Sequence, residues 1–272
     1  MSVCNVERVR IRDATSLAVV LAVAMSLVLA PSAVASMGNR INTANAIRTY
    51  VNGLGMTRAV TSSEPGSPAW KLALHDIALN EALVANRQRA STQSKQFVDG
   101  RAIVCPQRTT RGPTCSMLSN FATDASGHIT DFVVDGIPLS RRIAIGSGRP
   151  VGITSSTGTV GLVGLESAYQ AGNGQLAVIV DFASLANPPA GVLTLSEDAI
   201  RYQSIGGQSA MADSLLNERS PKNPSFRVKS ARNLLRVVLF FHGQTLGGQL
   251  IVTTVGNPPT PALAGTGQVP IA

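Results

Sequence analysis

His128-Ile-Thr-Asp-Phe-Val-Val134-Asp135-Gly136-Ile137-Pro-Leu-Ser-Arg-Arg-Ile-Ala-Ile145 is the stretch that decides the fold class. Ile129, Phe132 and Val134 are the apolar residues of a strand. Asp135-Gly136 is the strongest short hairpin signal in the chain, because both central residues of a tight type I′ turn need positive φ. Ile137–Ile145 then reads as the returning strand. Working outward, residues 101–105 and 116–123 read as two earlier strands, and Asp124-Ala-Ser-Gly127 as the turn before His128. Downstream, residues 159–170 and the alternating run 175–183 flank a turn at Gly172-Asn-Gly174. Further strands are expected at 199–204, 226–229, 233–242 and 249–255, with a brief helix at 209–217. Short strands punctuated by turn signals about every ten residues indicate an antiparallel β-sandwich.

Ahead of these strands the period changes. Met37, Ile41, Ala44, Ile47, Val51 and Leu54 recur three or four apart, as on a helix. A Ser/Gly/Pro linker at 56–67 precedes a second helix. Ser67 is suited to cap it, Pro68 fits its first turn, and Trp70, Leu74, Ile77 and Val84 form the expected apolar face.

The first 35 residues have a different character. Arg8, Arg10 and Arg12 precede an uncharged apolar run from Leu17 to Leu29, and Ala33-Val34-Ala35 follows. A basic region, an apolar core and an A-x-A site make a secretory leader with cleavage before Ser36. The run is shorter than the about 20 residues that span a bilayer. The expected organisation is a signal peptide at 1–35 and a helical segment with linker at 36–100. A disulfide-closed β-hairpin region at 101–145, a β-sandwich at 159–255 and a disordered Pro/Gly-rich tail at 256–272 follow. The mature chain is expected to be secreted, without a transmembrane segment.

Export gives the cysteines their meaning. Cys4 leaves with the leader, so Cys105 and Cys115 are expected to pair in an oxidising compartment. No metal site or cofactor is expected, since His75, His128 and His242 are far apart and no C-x-x-C occurs. The whole chain has 23 basic and 15 acidic residues, and the leader removes three and two of them, leaving +7. Such a charge favours anionic partners, here envelope polymers or lipid headgroups. Aromatic residues are scarce at 4%, which argues against nucleic acid and stacked-ring sugar sites. Arg219, Lys222, Arg227, Lys229, Arg232 and Arg236 form the densest basic cluster. Arg227, Lys229, Arg232 and Arg236 are its candidate anion-binding patch, or else an ordinary solvated sheet edge.

Two segments carry a resemblance. Cys115 through Asp124-Ala-Ser-Gly127-His-Ile129-Thr-Asp-Phe132-Val-Val134-Asp-Gly136 resembles an arrangement in exported actinobacterial proteins of unknown function. There, a helical piece precedes a Cys-bounded hairpin. Glu166-Ser-Ala-Tyr169 with Gln175-Leu-Ala-Val178-Ile-Val180-Asp181 is similar to the opening strands of immunoglobulin-like domains on bacterial surface proteins. The resemblance implies export and an immunoglobulin-like sandwich, and it supplies no catalytic residues.

Motifs for covalent chemistry are sparse. There is no G-x-S-x-G and no S-x-x-K, and Gly206-Gly207-Gln-Ser209 reads as a helix cap. Asp124, Asp131 and Asp135 are spread over successive turns and strands rather than gathered as in a calcium loop. His75 reads as a polar-face helix residue, and His128 and His242 as solvated. The sequence therefore favours a secreted, non-enzymatic protein that contacts the envelope or another surface protein. The alternative is an envelope hydrolase whose site is assembled from distant residues, with His128 or His242 as base.

Overall fold

A computed structural model describes residues 35–85, 93–106, 115–172, 174–185, 192–195, 200–212, 214–216, 226–228, 235–257 and 261–271. The leader expected at 1–35 lies, but for its last residue, outside them. Three helices come first: α1 (Ala35–Gly53), α2 (Thr57–Thr61) and α3 (Pro68–Ala85). No described helix is long and apolar enough to cross a membrane. The expected linker is partly ordered, since it contains α2. Ser67 does cap α3, its Oγ accepting from the Trp70 N–H at 3.2 Å.

The described strands form two sheets. The smaller contains β1 (Gln93–Val98), β2 (Arg101–Pro106), β3 (Ser116–Thr123), β4 (Ile129–Val134) and β5 (Ile137–Pro138), in chain order and all antiparallel. Asp135 and Gly136 take φ of 48° and 84° between β4 and β5, as the Asp-Gly signal requires. Asp99 and Gly100 do the same between β1 and β2, with φ of 48° and 72°. That second Asp-Gly identifies β1, a strand absent from the expectation.

The larger sheet has twelve strands. They are β6 (Ile143–Ile145), β7 (Val151–Ser155), β8 (Gly158–Gln170), β9 (Gln175–Ser184), β10 (Val192–Leu195), β11 (Ile200–Gln203), β12 (Ser209–Met211), β13 (Ser214–Leu216), β14 (Phe226–Val228), β15 (Leu235–His242), β16 (Gln249–Asn257) and β17 (Gly265–Pro270). The main path runs β12-β11-β16-β17-β7-β8-β9-β15-β13; β6 pairs with β8, and β10 with β14 and β16. The protein is thus mainly β, with a short N-terminal helical region and a sandwich- or barrel-like antiparallel arrangement. Phe182, Tyr202, Phe241, Val178 and Leu250 lie in its central core. Residues 40–272 form one compact unit.

Four expectations need correction. Ile137–Ile145 is not one returning strand. Pro138 lacks an N–H to extend the ladder, the chain makes a 3₁₀ turn at Leu139–Arg141, and β6 crosses to the larger sheet. Residues 146–158, left between the two expected β-regions, contain β7. The helix expected at 209–217 is replaced, over its described residues, by strands: Ser209 follows the Gly206-Gly207 turn into β12, paired with β11, and β13 pairs with β15. The tail is not disordered over its described part, because β17 lies between β16 and β7. Its residues alternate buried and exposed from Gly265 to Ile271. Pro/Gly composition hid that period. Gly265 and Gly267 suit close crossing of neighbouring backbones, since a Cβ would come within 2.9 Å of the Thr154 carbonyl and 3.2 Å of Ile153 respectively.

Helix α3 also presents a different face. Ala69, Leu72, Ala73, His75, Ala78 and Ala82 are buried, while Val84 is 62% exposed. The small alanines let the helix pack onto the sheets. Ala78 and Ala82 meet Ile179 and Val238 of the larger sheet. Ala69, Leu72 and Ala73 join Tyr50, Phe132 and Leu118 over the smaller one.

Candidate functional site

Cys105 and Cys115 are bonded, with Cα atoms 4.2 Å apart, and join β2 to the residue preceding β3. The basic patch fares differently. Arg236 on β15 lies opposite Asp181 on β9, and its guanidinium donates to both carboxylate oxygens at 2.9 Å. Glu166 and Glu81 stand 3.5 and 3.6 Å away. The hydrogen bonds to Asp181 hold Arg236 even more firmly protonated than usual. One cation among three carboxylates is not an anion-binding surface, so Arg236 is withdrawn from the expected patch. Arg227 lies on β14, but its side chain is outside the described residues, as are Lys229 and Arg232.

His75 is not on a polar face. It is 1% exposed, and its Nδ1 is 2.8 Å from the Oγ of Ser167, itself 1% exposed. The Tyr169 ring packs against it, with centroids 5.7 Å apart. Burial lowers the His75 pKa from 6.5 to about 3, so the imidazole is neutral, and its buried Nε2 has no hydrogen-bond partner. This is a histidine–serine pair assembled from distant sequence, but it is sealed from solvent. His128, by contrast, holds a turn: Asp124 accepts from the Ser126 and His128 backbone N–H groups, and its other oxygen is 3.0 Å from the His128 ring. Asp135 accepts from the Met117 N–H, so both carboxylates serve turns, as expected.

The next residue of α3 opens onto a pocket. Asp76 lines a cavity of about 230 Å³ together with Leu54 and Leu72 from the helical region. Gln93, Val104, Ser116 and Leu118 come from the smaller sheet, and Tyr169, Ala171 and Gln175 from the β8–β9 hairpin. Strand alternation explains the smaller sheet's contribution: Gln93, Val104, Ser116 and Leu118 all face the helices. Asp135 anchors the rim, where a Cβ on Gly172 would overlap its carboxylate at 1.6 Å, so the two turns meet only because residue 172 is glycine. Arg142, 4% exposed, donates from Nη1 to the Gln170 and Ala171 carbonyls at 3.1 and 3.0 Å and pins the other wall.

Burial raises the Asp76 pKa from 3.8 to about 7, partly offset by the charge of Lys95. Lys95 turns inward on β1 and donates to the Asn52 carbonyl at 3.3 Å; burial lowers its pKa. Burial likewise raises the Tyr169 hydroxyl, and the Asp76 charge adds to that. Gln93 Oε1 is buried without a partner. Among the described residues no hydrogen bond reaches the Asp76 carboxyl, the Ser116 hydroxyl or the Tyr169 hydroxyl. The pocket therefore holds polar groups that the fold leaves uncommitted. No group of three or more His, Cys, Asp or Glu side chains suited to a metal ion occurs among the described residues.

The sequence pointed to none of these pocket residues. Asp76 follows a histidine on a helix whose face was assigned from its large apolar residues, and the buried face is the alanine one. No family model, no curated protein and no solved structure matches this chain.

Proposed function

We propose that this is an exported protein that acts by binding, and that the pocket walled by Asp76, Gln93, Ser116, Tyr169 and Gln175 holds its ligand, a small polar molecule. The leader pattern and the Cys105–Cys115 bridge support export. The observation that carries the binding reading is the contrast between two neighbouring places. The His75–Ser167 pair, the arrangement nearest to a nucleophile and base, is closed to any substrate. The pocket next to it is open, and Asp76, Gln93, Ser116 and Tyr169 offer it donors and acceptors beside the apolar side chains of Leu54, Leu72, Val104 and Leu118, the usual make-up of a small-molecule site. Contacts with an envelope polymer or a surface protein remain compatible with such a pocket, which would take one terminal group of a larger partner.

The test is an NMR or calorimetric fragment screen on the disulfide-bonded protein, with Tyr169→Phe as control. Small polar compounds should perturb Asp76 and Tyr169 and bind more weakly to the variant. A screen in which no compound perturbs these residues overturns the reading. Mass spectrometry of culture supernatant tests the other half: the chain should begin at Ser36.

A further inference from the structure

We propose that the pocket takes an uncharged, hydroxyl-rich molecule of monosaccharide size, held through Asp76, Gln93, Ser116 and Tyr169. This rests on the pocket being a binding site. Three observations lead to the ligand class.

The first is size. About 230 Å³ is below the roughly 300–1,000 Å³ of sites for drug-sized ligands, and suits one sugar ring.

The second is the hydrogen-bond inventory. Gln93 Oε1 is an acceptor with no donor. The Ser116 and Tyr169 hydroxyls both donate and accept, and a protonated Asp76 carboxyl adds another O–H. An ammonium only donates and a carboxylate only accepts, so neither satisfies this mixed set. A run of hydroxyls does both at successive atoms. Leu54, Leu72, Val104 and Leu118 offer an apolar surface to the C–H face of such a molecule.

The third is the balance of charge around the cavity. Lys95 from β1 and Tyr50 from α1 are the ionisable groups coupled to Asp76 besides Tyr169 of β8. Arg142 and Asp135 act on Tyr169, and Asp131 acts on Tyr50. With acidic and basic groups both coupled to this region, neither sign of ligand charge is favoured by it, and a neutral ligand avoids the cost of burying a charge without a dedicated partner.

The neutral carboxyl has a consequence for pH. A ligand oxygen accepting from the Asp76 O–H favours the protonated form. Affinity is then retained below about pH 7, where the carboxyl is neutral, and lost as pH rises through that value.

Glucose, glucosamine and glucuronate test the class, because they share one ring and differ in charge. Calorimetry or saturation-transfer NMR on the disulfide-bonded protein at pH 6 should show glucose binding about tenfold more tightly than either charged sugar. Its affinity should fall between pH 6 and pH 8. Asp76→Asn, a neutral isostere, should keep binding and lose the pH dependence. Should Asp76→Asn fail to fold, Tyr169→Phe replaces it, with weaker glucose binding and the pH dependence intact. Tighter binding of glucosamine or glucuronate overturns the ligand class and leaves the pocket a binding site. Failure of all three sugars, with other fragments perturbing Asp76, does the same. Silence from every fragment overturns both readings.

Discussion

In the five-stranded sheet every hydrogen-bonded neighbour is also the next strand in sequence, and Asp-Gly turns set two of its four hairpin connections. In the twelve-stranded sheet, β17 from the end of the chain lies between β16 and β7, and β7 is more than a hundred residues earlier. The first sheet is specified by local turn chemistry and closed by a disulfide. The second is specified by a long apolar core whose pairings are remote. Local signals are strong where φ must be positive, whereas remote pairing is selected only by total burial. The pocket forms where the two kinds of sheet meet, against α3.

The largest expected effect breaks the remote half. Deleting residues 265–272 removes β17, takes Val269 and Ile271 from the core and leaves β16 and β7 unpaired along that edge. The truncated chain should lose cooperative thermal unfolding by circular dichroism. A melt matching that of the full chain would show that β17 is dispensable.

Next come two phenylalanines, one from each sheet. Phe241→Ala and Phe132→Ala each empty a fully buried site and should cost about 3–5 kcal/mol in urea unfolding. Because residues 40–272 form one unit, both variants should retain a single transition. A separate early transition in Phe132→Ala alone would mean that the smaller sheet unfolds independently.

A third prediction concerns the adjacent residues His75 and Asp76. The folded state disfavours charge on His75, so its stabilising contribution is complete above pH 6.5 and is lost as pH falls toward 3. The folded state also disfavours charge on Asp76, whose contribution is complete below pH 3.8 and is lost as pH rises to about 7. Between pH 4 and 6.5 the two slopes oppose, each about 1.4 kcal/mol per pH unit at most. Wild-type stability in urea should thus be nearly flat there. His75→Asn should become more stable toward acid, and Asp76→Asn less stable. Parallel profiles in both variants would refute the opposition.

The smallest effect belongs to the disulfide. Cys105→Ser with Cys115→Ser should cost about 2–3 kcal/mol, the entropy of closing a short loop. Near-ultraviolet signals from the larger core should persist, since the bridge lies within the local half. Loss of those signals would show that the smaller sheet templates the larger one.

Much of this molecule was legible before its structure. Asp135-Gly136 predicts a turn because few residues tolerate φ near 50–80°, and Ser67-Pro68 predicts a helix start because it supplies an acceptor and removes an orphan N–H. Gln175–Ala183 predicts a strand by its composition and spacing. The pairing of Cys105 with Cys115 follows from their count once residues 1–35 are read as an export leader. Tertiary structure alone decided the rest. Whether α3 buries its leucines or its alanines depends on how near a sheet can approach, which no helical period records. That choice sends His75 into the core and Asp76 to the pocket. Arg236, one of a run of basic residues, becomes the centre of three carboxylates because β9, β8 and α3 converge on it. The tail becomes a strand because two existing edges leave a gap that glycine backbones fit. A residue's charge state and partners are set by what surrounds it in space, and for these residues the surroundings come from sequence far away.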